Sequence, residues 1–229
     1  FKAALRNLRE ASRAYEPLVT LDPLNVDQRI SYAHALALEA STLTKLKDTT
    51  NALARRTRAA QLWSTVVSVE SETRVARLEQ LAIAHELQGD AAATARDLDK
   101  MLAAYKRAEP VRRRMAVLRN TPDMHKAHAQ VLHALGLTKK FAKQLDGAAA
   151  ALREAATLRL TLEGDDNHFR AAESLQQLAL VQSATSAVAS KRSMLEARKI
   201  LRKLTKAHPR NRTYRGSLAK TDKVLKLFR

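Results

Sequence analysis

No cysteine occurs anywhere in the 229 residues. That absence excludes a disulfide scaffold, a Cys-ligated zinc site, an iron–sulfur cluster and a thiol nucleophile, and it suits a reducing, intracellular compartment. Glycine and proline are scarce, five of each. An all-β fold needs a turn about every 8–12 residues, and these few turn formers do not supply them. Aromatic residues make up 4% of the chain, which argues against reading nucleic-acid bases by stacking on exposed rings. No apolar run approaches the roughly 18 residues of a membrane span. The start, Phe1-Lys2-Ala3-Ala4-Leu5-Arg6, has neither an initiator methionine nor the apolar core of a secretory signal. It reads as a mature protein that has lost a leader, or as a piece of a larger one. The expected location is the cytoplasm or the mitochondrial matrix.

What is present is apolar enough to fold. Hydrophobic residues reach 45%. They recur at steps of three and four almost throughout, among good helix formers. Tyr214, Leu218, Thr221, Leu225 and Phe228 share one helical face, for example, with most of the nearby Lys and Arg lying off it. The breaks are periodic. Leu21-Asp22-Pro23-Leu24-Asn25 and Ala207-His208-Pro209-Arg210-Asn211 are the same break, a proline that stops one helix and an Asn that caps the next. Asn120-Thr121-Pro122-Asp123 and Gly164-Asp165-Asp166-Asn167 are of the same kind, and Val69-Glu70-Ser71-Glu72 is a weaker one. Softer breaks fall inside each unit at Lys47-Asp48-Thr49, Gln88-Gly89-Asp90, Thr138-Lys139-Lys140 and Ser183-Ala184-Thr185-Ser186. The expectation is an all-α, right-handed α-solenoid with a repeat of about 44–52 residues. It forms a single helical-repeat domain, 1–229. Residues 1–22 are the second helix of an incomplete unit, 26–69, 71–120, 123–164 and 167–208 are helical hairpins, and 211–229 is a terminal basic capping helix. Pro110 should kink or break the long second helix of its unit, and Pro17 should kink the first helix.

The register can be compared with known repeats. Ala11, Tyr15, Leu18 and Pro23 follow one spacing, and Ala197, Leu201, Leu204 and Pro209 repeat it. Leu132, Leu135 and Gly136 are followed at fixed offsets by Ala148, Leu152 and Ala155. These residues resemble the tetratricopeptide repeat family, in which small residues let the two helices of a hairpin approach and larger ones fill the next groove. Gly89-Asp90 looks like that family's inter-helix turn. The resemblance is degenerate. Arg29, Tyr32, Ala33 and Leu36 stand where the family prefers Trp, Leu, Gly and Tyr, and the units exceed its repeat of about 34 residues by about ten. A HEAT-like hairpin array fits the unit length nearly as well. The resemblance implies a protein-interaction scaffold without catalysis. Its first helices line a groove for a peptide or a partner helix, with Arg29, Tyr32 and His125 as the residues expected in it.

No catalytic constellation is found, and no cofactor or small-molecule substrate is expected. His85-Glu86 starts like a zinc-protease helix, but Gly89 stands where the second His belongs. His125 and His128 are spaced to share an ion, with Asp123 nearby, but His133 turns away from them. The reading is a partly exposed helical surface with no metal. The acid pairs at Glu70 with Glu72 and at Asp165-Asp166 sit at helix starts, facing the helix dipole, while Asp97 with Asp99 does not. Trp63, the only tryptophan, lies close to the face of Leu62, Val66 and Val69 and reads as core.

The charge is uneven. The chain holds 41 Lys and Arg against 23 Asp and Glu, a net of +18. From Lys191 to Arg229 there are 14 basic and two acidic residues, so two thirds of the excess sits in the last 39 residues. Arg198, Lys199, Arg202, Lys203 and Lys206 on one helix, with Arg212, Arg215 and Lys223 on the next, should form a surface for a polyanion or an acidic partner. The first expectation is therefore a non-enzymatic scaffold or structural subunit bound to other proteins in a larger complex. An alternative is a ribonucleoprotein component, for instance of a mitochondrial ribosome, that contacts RNA phosphates through this end. Another is the regulatory region of a signalling enzyme whose catalytic domain lies upstream. A solvated basic face that only keeps the hairpin soluble is the plain alternative.

Overall fold

The computed structural model describes residues 1–69 and 75–228, which form ten helices and no strand. In chain order these are α1 (Lys2–Leu21), α2 (Val26–Lys45), α3 (Thr49–Val69), α4 (Val75–Thr94), α5 (Leu98–Arg119), α6 (Pro122–Phe141), α7 (Leu145–Leu160), α8 (Asp165–Gln182), α9 (Ala187–Ala207) and α10 (Arg212–Lys226). They form two compact units, Phe1–Leu118 and Arg119–Arg229. In the first unit α1 packs on α2, α2 on α3 and α3 on α4. In the second, α6 packs on α7, α7 on α8, α8 on α9 and α9 on α10. No helix among the described residues is long and apolar enough to cross a membrane.

The cores follow from the apolar stripes. In the first unit Tyr32 and Leu36 of α2 meet Leu62, Trp63 and Val66 of α3 and Leu81 of α4. Trp63 is 4% exposed and stands edge-on to the His34 ring at 5.3 Å, so it is a core residue as read. In the second unit Leu152, Phe169, Leu175, Leu178, Leu201 and Leu204 interlock. Burying one such leucine stabilises by about 2 kcal/mol.

The helix starts show why the breaks fall where they do. Asn25 Oδ1 accepts from the Gln28 amide at 3.1 Å, and Asn211 Oδ1 accepts from the Thr213 and Tyr214 amides at 3.0 and 3.2 Å. Thr121 and Ser186 cap α6 and α9 in the same way. The break read at Val69–Glu72 falls largely on residues 70–74, outside the described residues.

Two of the softer breaks are corrected. Gly89-Asp90 lies inside α4, and Thr138-Lys139-Lys140 lies inside α6. The turns are Leu46-Lys47-Asp48, Ala95-Arg96-Asp97 and Ala142-Lys143-Gln144, and all three are built alike. Their middle residues have φ of 63°, 58° and 57°, and the next amides bond back five residues, Asp48 to Leu43, Asp97 to Ala92 and Gln144 to Lys139. This is a Schellman close, made with Lys or Arg where glycine is usual. Asp97 then caps α5 by accepting from the Lys100 amide at 3.1 Å, so the Asp97 pair also sits at a helix start.

Gly89 has a packing role. A Cβ there would lie 2.8 Å from Tyr105 Cζ, and one at Gly136 would lie 2.7 Å from Leu152 Cγ. Each glycine is a notch for the residue sixteen positions later, on the partner helix of its hairpin. Pro110 does not break its helix, since α5 runs continuously through it.

Candidate functional site

Three surfaces of the molecule bear on the expected sites. The first is the partner groove. Tyr32 is 3% exposed and packed in the core with Leu36 and Trp63, and it also borders a groove of about 280 Å³ lined by Arg9, Glu16 and Arg55. Burial, with Glu16 nearby, raises its pKa. Arg29 is half-buried in the first turn of α2, and His125 is half-buried in the first turn of α6, with Nε2 2.8 Å from Asn120 Oδ1. Arg29 and Tyr32 belong to the first unit and His125 to the second. The three histidines of α6 have separate surroundings. His128 is buried, a correction to its reading as surface, while His133 reaches Ser174. No group of three metal-ligating side chains occurs among the described residues.

The second surface is the basic end. Along α9, Ser190, Met194, Ala197, Leu201 and Leu204 are buried, so Lys199, Arg202, Lys203 and Lys206 point outward and are exposed. Arg212, Arg215 and Lys223 of α10 are exposed as well. None of these seven is ion-paired among the described residues. Arg198 differs. Its Nε forms an ion pair with Asp222 Oδ1 across the α9–α10 contact, which makes it a latch within the fold and not a free surface cation. Beside the latch lies a groove of about 350 Å³ lined by Lys191, Leu195, Leu225 and Lys226. Leu195 is 44% exposed there.

The third surface was not expected. A groove of about 450 Å³ runs between α6 and α8, with α7 at its base. Arg159, from the last turn of α7, is 7% exposed. Its Nη1 donates to the Arg170 carbonyl at 2.9 Å and to Ser174 Oγ at 2.7 Å. His133 Nδ1 lies 2.9 Å from the same hydroxyl. Burial, reinforced by the charges of Arg159 and Arg170, pulls the His133 pKa down to about 4, so the ring is neutral at pH 7. Burial also lowers the Arg159 pKa, though a guanidinium stays charged at neutral pH. At the rim, Arg170 pairs with Glu173 at 3.0 Å and approaches Asp166 at 3.7 Å, and Lys126 stands 3.9 Å from Asp166. One sequence signal pointed here. Ala148, Leu152, Ala155 and Arg159 step by four, three and four, which places a cation on an apolar stripe.

No protein-family model matches the chain, and no curated protein matches it in sequence. Solved structures do match. BtubC (BKLC) from P. vanneervenii overlaps 99% of this chain and 89% of its own with a TM-score of 0.55, at 12% identity. The fold is that of a tetratricopeptide-like helical repeat. MamA is similar over 87% of this chain and 91% of its own, at 17% identity and a TM-score of 0.47. The C-terminal part of a TPR repeat-containing protein from Cytophaga hutchinsonii is similar over 93% and 95%, at 12% identity and 0.26. At those scores the last two add nothing to the fold assignment. It rests on the first and on the hairpins, notches and turns of the tetratricopeptide-like array itself.

Proposed function

We propose that the chain is a non-enzymatic protein-interaction scaffold, a structural subunit of a larger assembly, and that α9 and α10 dock an acidic protein surface. The observation that carries this reading is that the two helices with seven exposed, unpaired cations also hold a groove lined by Leu195 and Leu225 between Lys191 and Lys226. A solvated basic face has no use for an apolar floor between lysines. A partner segment with both acidic and apolar side chains uses the two together. Charge complementarity speeds encounter and sets register, and a desolvated apolar anchor supplies most of the affinity.

Three probes test the reading on the whole protein: an acidic peptide with leucines at helical spacing, poly-glutamate and a single-stranded RNA. The amphipathic peptide should bind tightest. Its affinity should fall at least tenfold in Lys199→Glu/Arg202→Glu/Lys203→Glu and also in Leu195→Gln, whereas poly-glutamate should respond to the charge variant alone. A second reading, a ribonucleoprotein component, is favoured by the same cations. It predicts RNA binding that weakens steeply with salt, by a slope of about −0.7 per phosphate contacted, with no effect of Leu195→Gln. If no probe binds at low salt, both readings fail.

A further inference from the structure

Two helix breaks are built alike and carry opposite chemistry. Leu21-Asp22-Pro23-Leu24-Asn25 and Ala207-His208-Pro209-Arg210-Asn211 each stop a helix at proline and cap the next with Asn. The second lies in the basic end. The first lies in a stretch, 14–28, that has three acids and no Lys or Arg, in a chain of net charge +18. Glu16 lines the groove beside Arg9 and Arg13. Asp22 and Asp27 are exposed, and neither is ion-paired among the described residues.

The same corner is apolar. Leu18, Leu21 and Leu24 are 41%, 82% and 72% exposed. A single exposed leucine is ordinary, but three within one turn of helix and the loop after it form a patch that water solvates poorly. Asp22 Oδ1 accepts from the Leu24 amide at 3.3 Å, which holds the loop in place. The other acidic break offers no such surface. There Asp165 pairs with His208, and Asp166 faces Arg170 and Lys126.

The basic end has the complementary features. Its seven exposed cations lie on the two helices that hold the groove of Leu195 and Leu225, and Val188, 82% exposed, stands two turns before Leu195 on the same face of α9. We propose that the partner of the α9–α10 surface is a second copy of this chain. It sets Leu21 and Leu24 of its α1–α2 corner against Leu195 and Leu225, and Asp22 and Asp27 against the cations of α9 and α10. The inference rests on reading α9 and α10 as a surface for an acidic, apolar partner, and it names that partner. Corner and groove are different surfaces, so each dimer leaves one of each open. Assembly then continues to a ring or an open filament.

The test is self-association of the whole chain, followed by light scattering and sedimentation velocity. Protein is raised to about 0.5 mM, above the micromolar range in which weak standard-size interfaces still hold. In about 0.05 M salt the mass should climb past the dimer, and in about 0.5 M salt association should weaken at least tenfold. Leu21→Gln/Leu24→Gln changes two exposed side chains, so the helicity should stay unchanged while association falls at least tenfold. Lys199→Glu/Arg202→Glu/Lys203→Glu should do the same. The decisive sample is a mixture of these two variants. The intact corner of the charge variant should dock in the intact groove of the leucine variant, and growth should stop at the dimer because no second pair of intact surfaces remains. A chain that stays monomeric, an association unchanged by Leu21→Gln/Leu24→Gln, or a mixture that does not recover a dimer would each overturn the inference. If the chain stays monomeric while the acidic leucine peptide binds the groove, the acidic-partner reading stands without it. If neither binds, both fall.

Discussion

The two units bury charge differently. Among the described residues of Phe1–Leu118, the fully buried charges Glu39 and Arg112 each meet an opposite charge. Glu39, wholly inaccessible between α1 and α3, accepts from Arg55 Nε at 3.0 Å and Ser12 Oγ at 3.1 Å, with Arg9 at 3.6 Å. Arg112 has Glu86. In Arg119–Arg229 the buried cation Arg159 has only neutral oxygens and a neutral imidazole. A paired buried charge is internal structure: it fixes how helices meet and offers nothing to a ligand. One without a contacting carboxylate rests on neutral partners and on acids at a distance, here Glu173 and Asp166. The same repeat scaffold therefore carries directly paired buried charges in one unit and, in the other, a buried cation that no carboxylate contacts.

Breaking the closed pairs should give the largest effect. In Arg9→Met/Arg55→Met the Glu39 carboxylate stays buried without a cation, and the first unit should lose about 3–5 kcal/mol, read from the denaturant transition of that unit. Arg112→Met should cost about 2 kcal/mol, since Glu86 is partly solvated and can recover some hydration. Arg159→Met removes a charge that no carboxylate contacts directly, and the Ser174 hydroxyl keeps its bond to the Arg170 carbonyl at 3.1 Å, so it should cost about 1 kcal/mol or less. If Arg159→Met costs as much as Arg112→Met, the contrast between the units is wrong.

The hairpin notches test whether the units at least pack their helices alike. Gly89→Ala pushes a methyl against three ring atoms of Tyr105 at 2.8–3.0 Å, and Gly136→Ala pushes one against Leu152. Each should cost about 1–2 kcal/mol after the better helix propensity of alanine is counted. Leu152→Ala placed on Gly136→Ala should be less damaging than the sum of the two, with a coupling of about 1 kcal/mol. A full sum would show that the notch is not where the two helices meet.

Titration acts on both units, since burial lowers the pKa of His85 in the first as well, and His133 gives the second unit an effect of similar size. The unfolded chain protonates His133 near 6.5, and the folded second unit does so only near 4. Between those values the unfolded state binds more protons, so stability falls as pH is lowered from 6.5 and levels off near 4. Each pKa unit is worth 1.36 kcal/mol, and because the ring borders an open groove the expected loss is about 2 kcal/mol. His133→Asn should flatten this part of the profile for the second unit and leave the first unit's profile as it was.

Much of the fold was legible because helix breaks carry strong local chemistry. Pro23 and Pro209 cannot continue a helix, and Asn25 and Asn211 fill free amides, so those boundaries could be read to within a residue or two. The stripe of Ala148, Leu152 and Ala155 was legible for the same reason, since burial at helical spacing leaves a pattern. Gly89 was misread because glycine signals both a turn and a close approach, and only the Tyr105 ring against it decides which. Tyr32 was read only as a groove residue, but an aromatic on a first helix suits a groove and a core equally well, and most of this ring is core. The α6–α8 groove was missed because its residues come from three helices, and no short motif joins His133, Arg159 and Ser174. The signal that went unread is a charged residue on an apolar stripe, at Glu39, Arg112 and Arg159 alike. That pattern locates buried charges but cannot say which of them have a partner.

The turns give the smallest and most local contrast. Lys47, Arg96 and Lys143 hold a left-handed conformation that a side chain disfavours by about 1–2 kcal/mol. The turn between α8 and α9 is built without it, from Ser183 to Ser186, with the Ser183 amide bonding to the Ala179 carbonyl and Ser186 Oγ capping the next helix. Glycine relieves the strain but gives the unfolded chain more freedom, which takes back about 0.5–1 kcal/mol. Arg96→Gly and Lys143→Gly should therefore each stabilise by about 0.5 kcal/mol, one in each unit, while Ser183→Gly should destabilise slightly, all read from thermal unfolding. Equal signs at all three positions would mean that the three αL turns are held by side-chain contacts of Lys and Arg and not by the backbone pattern they share.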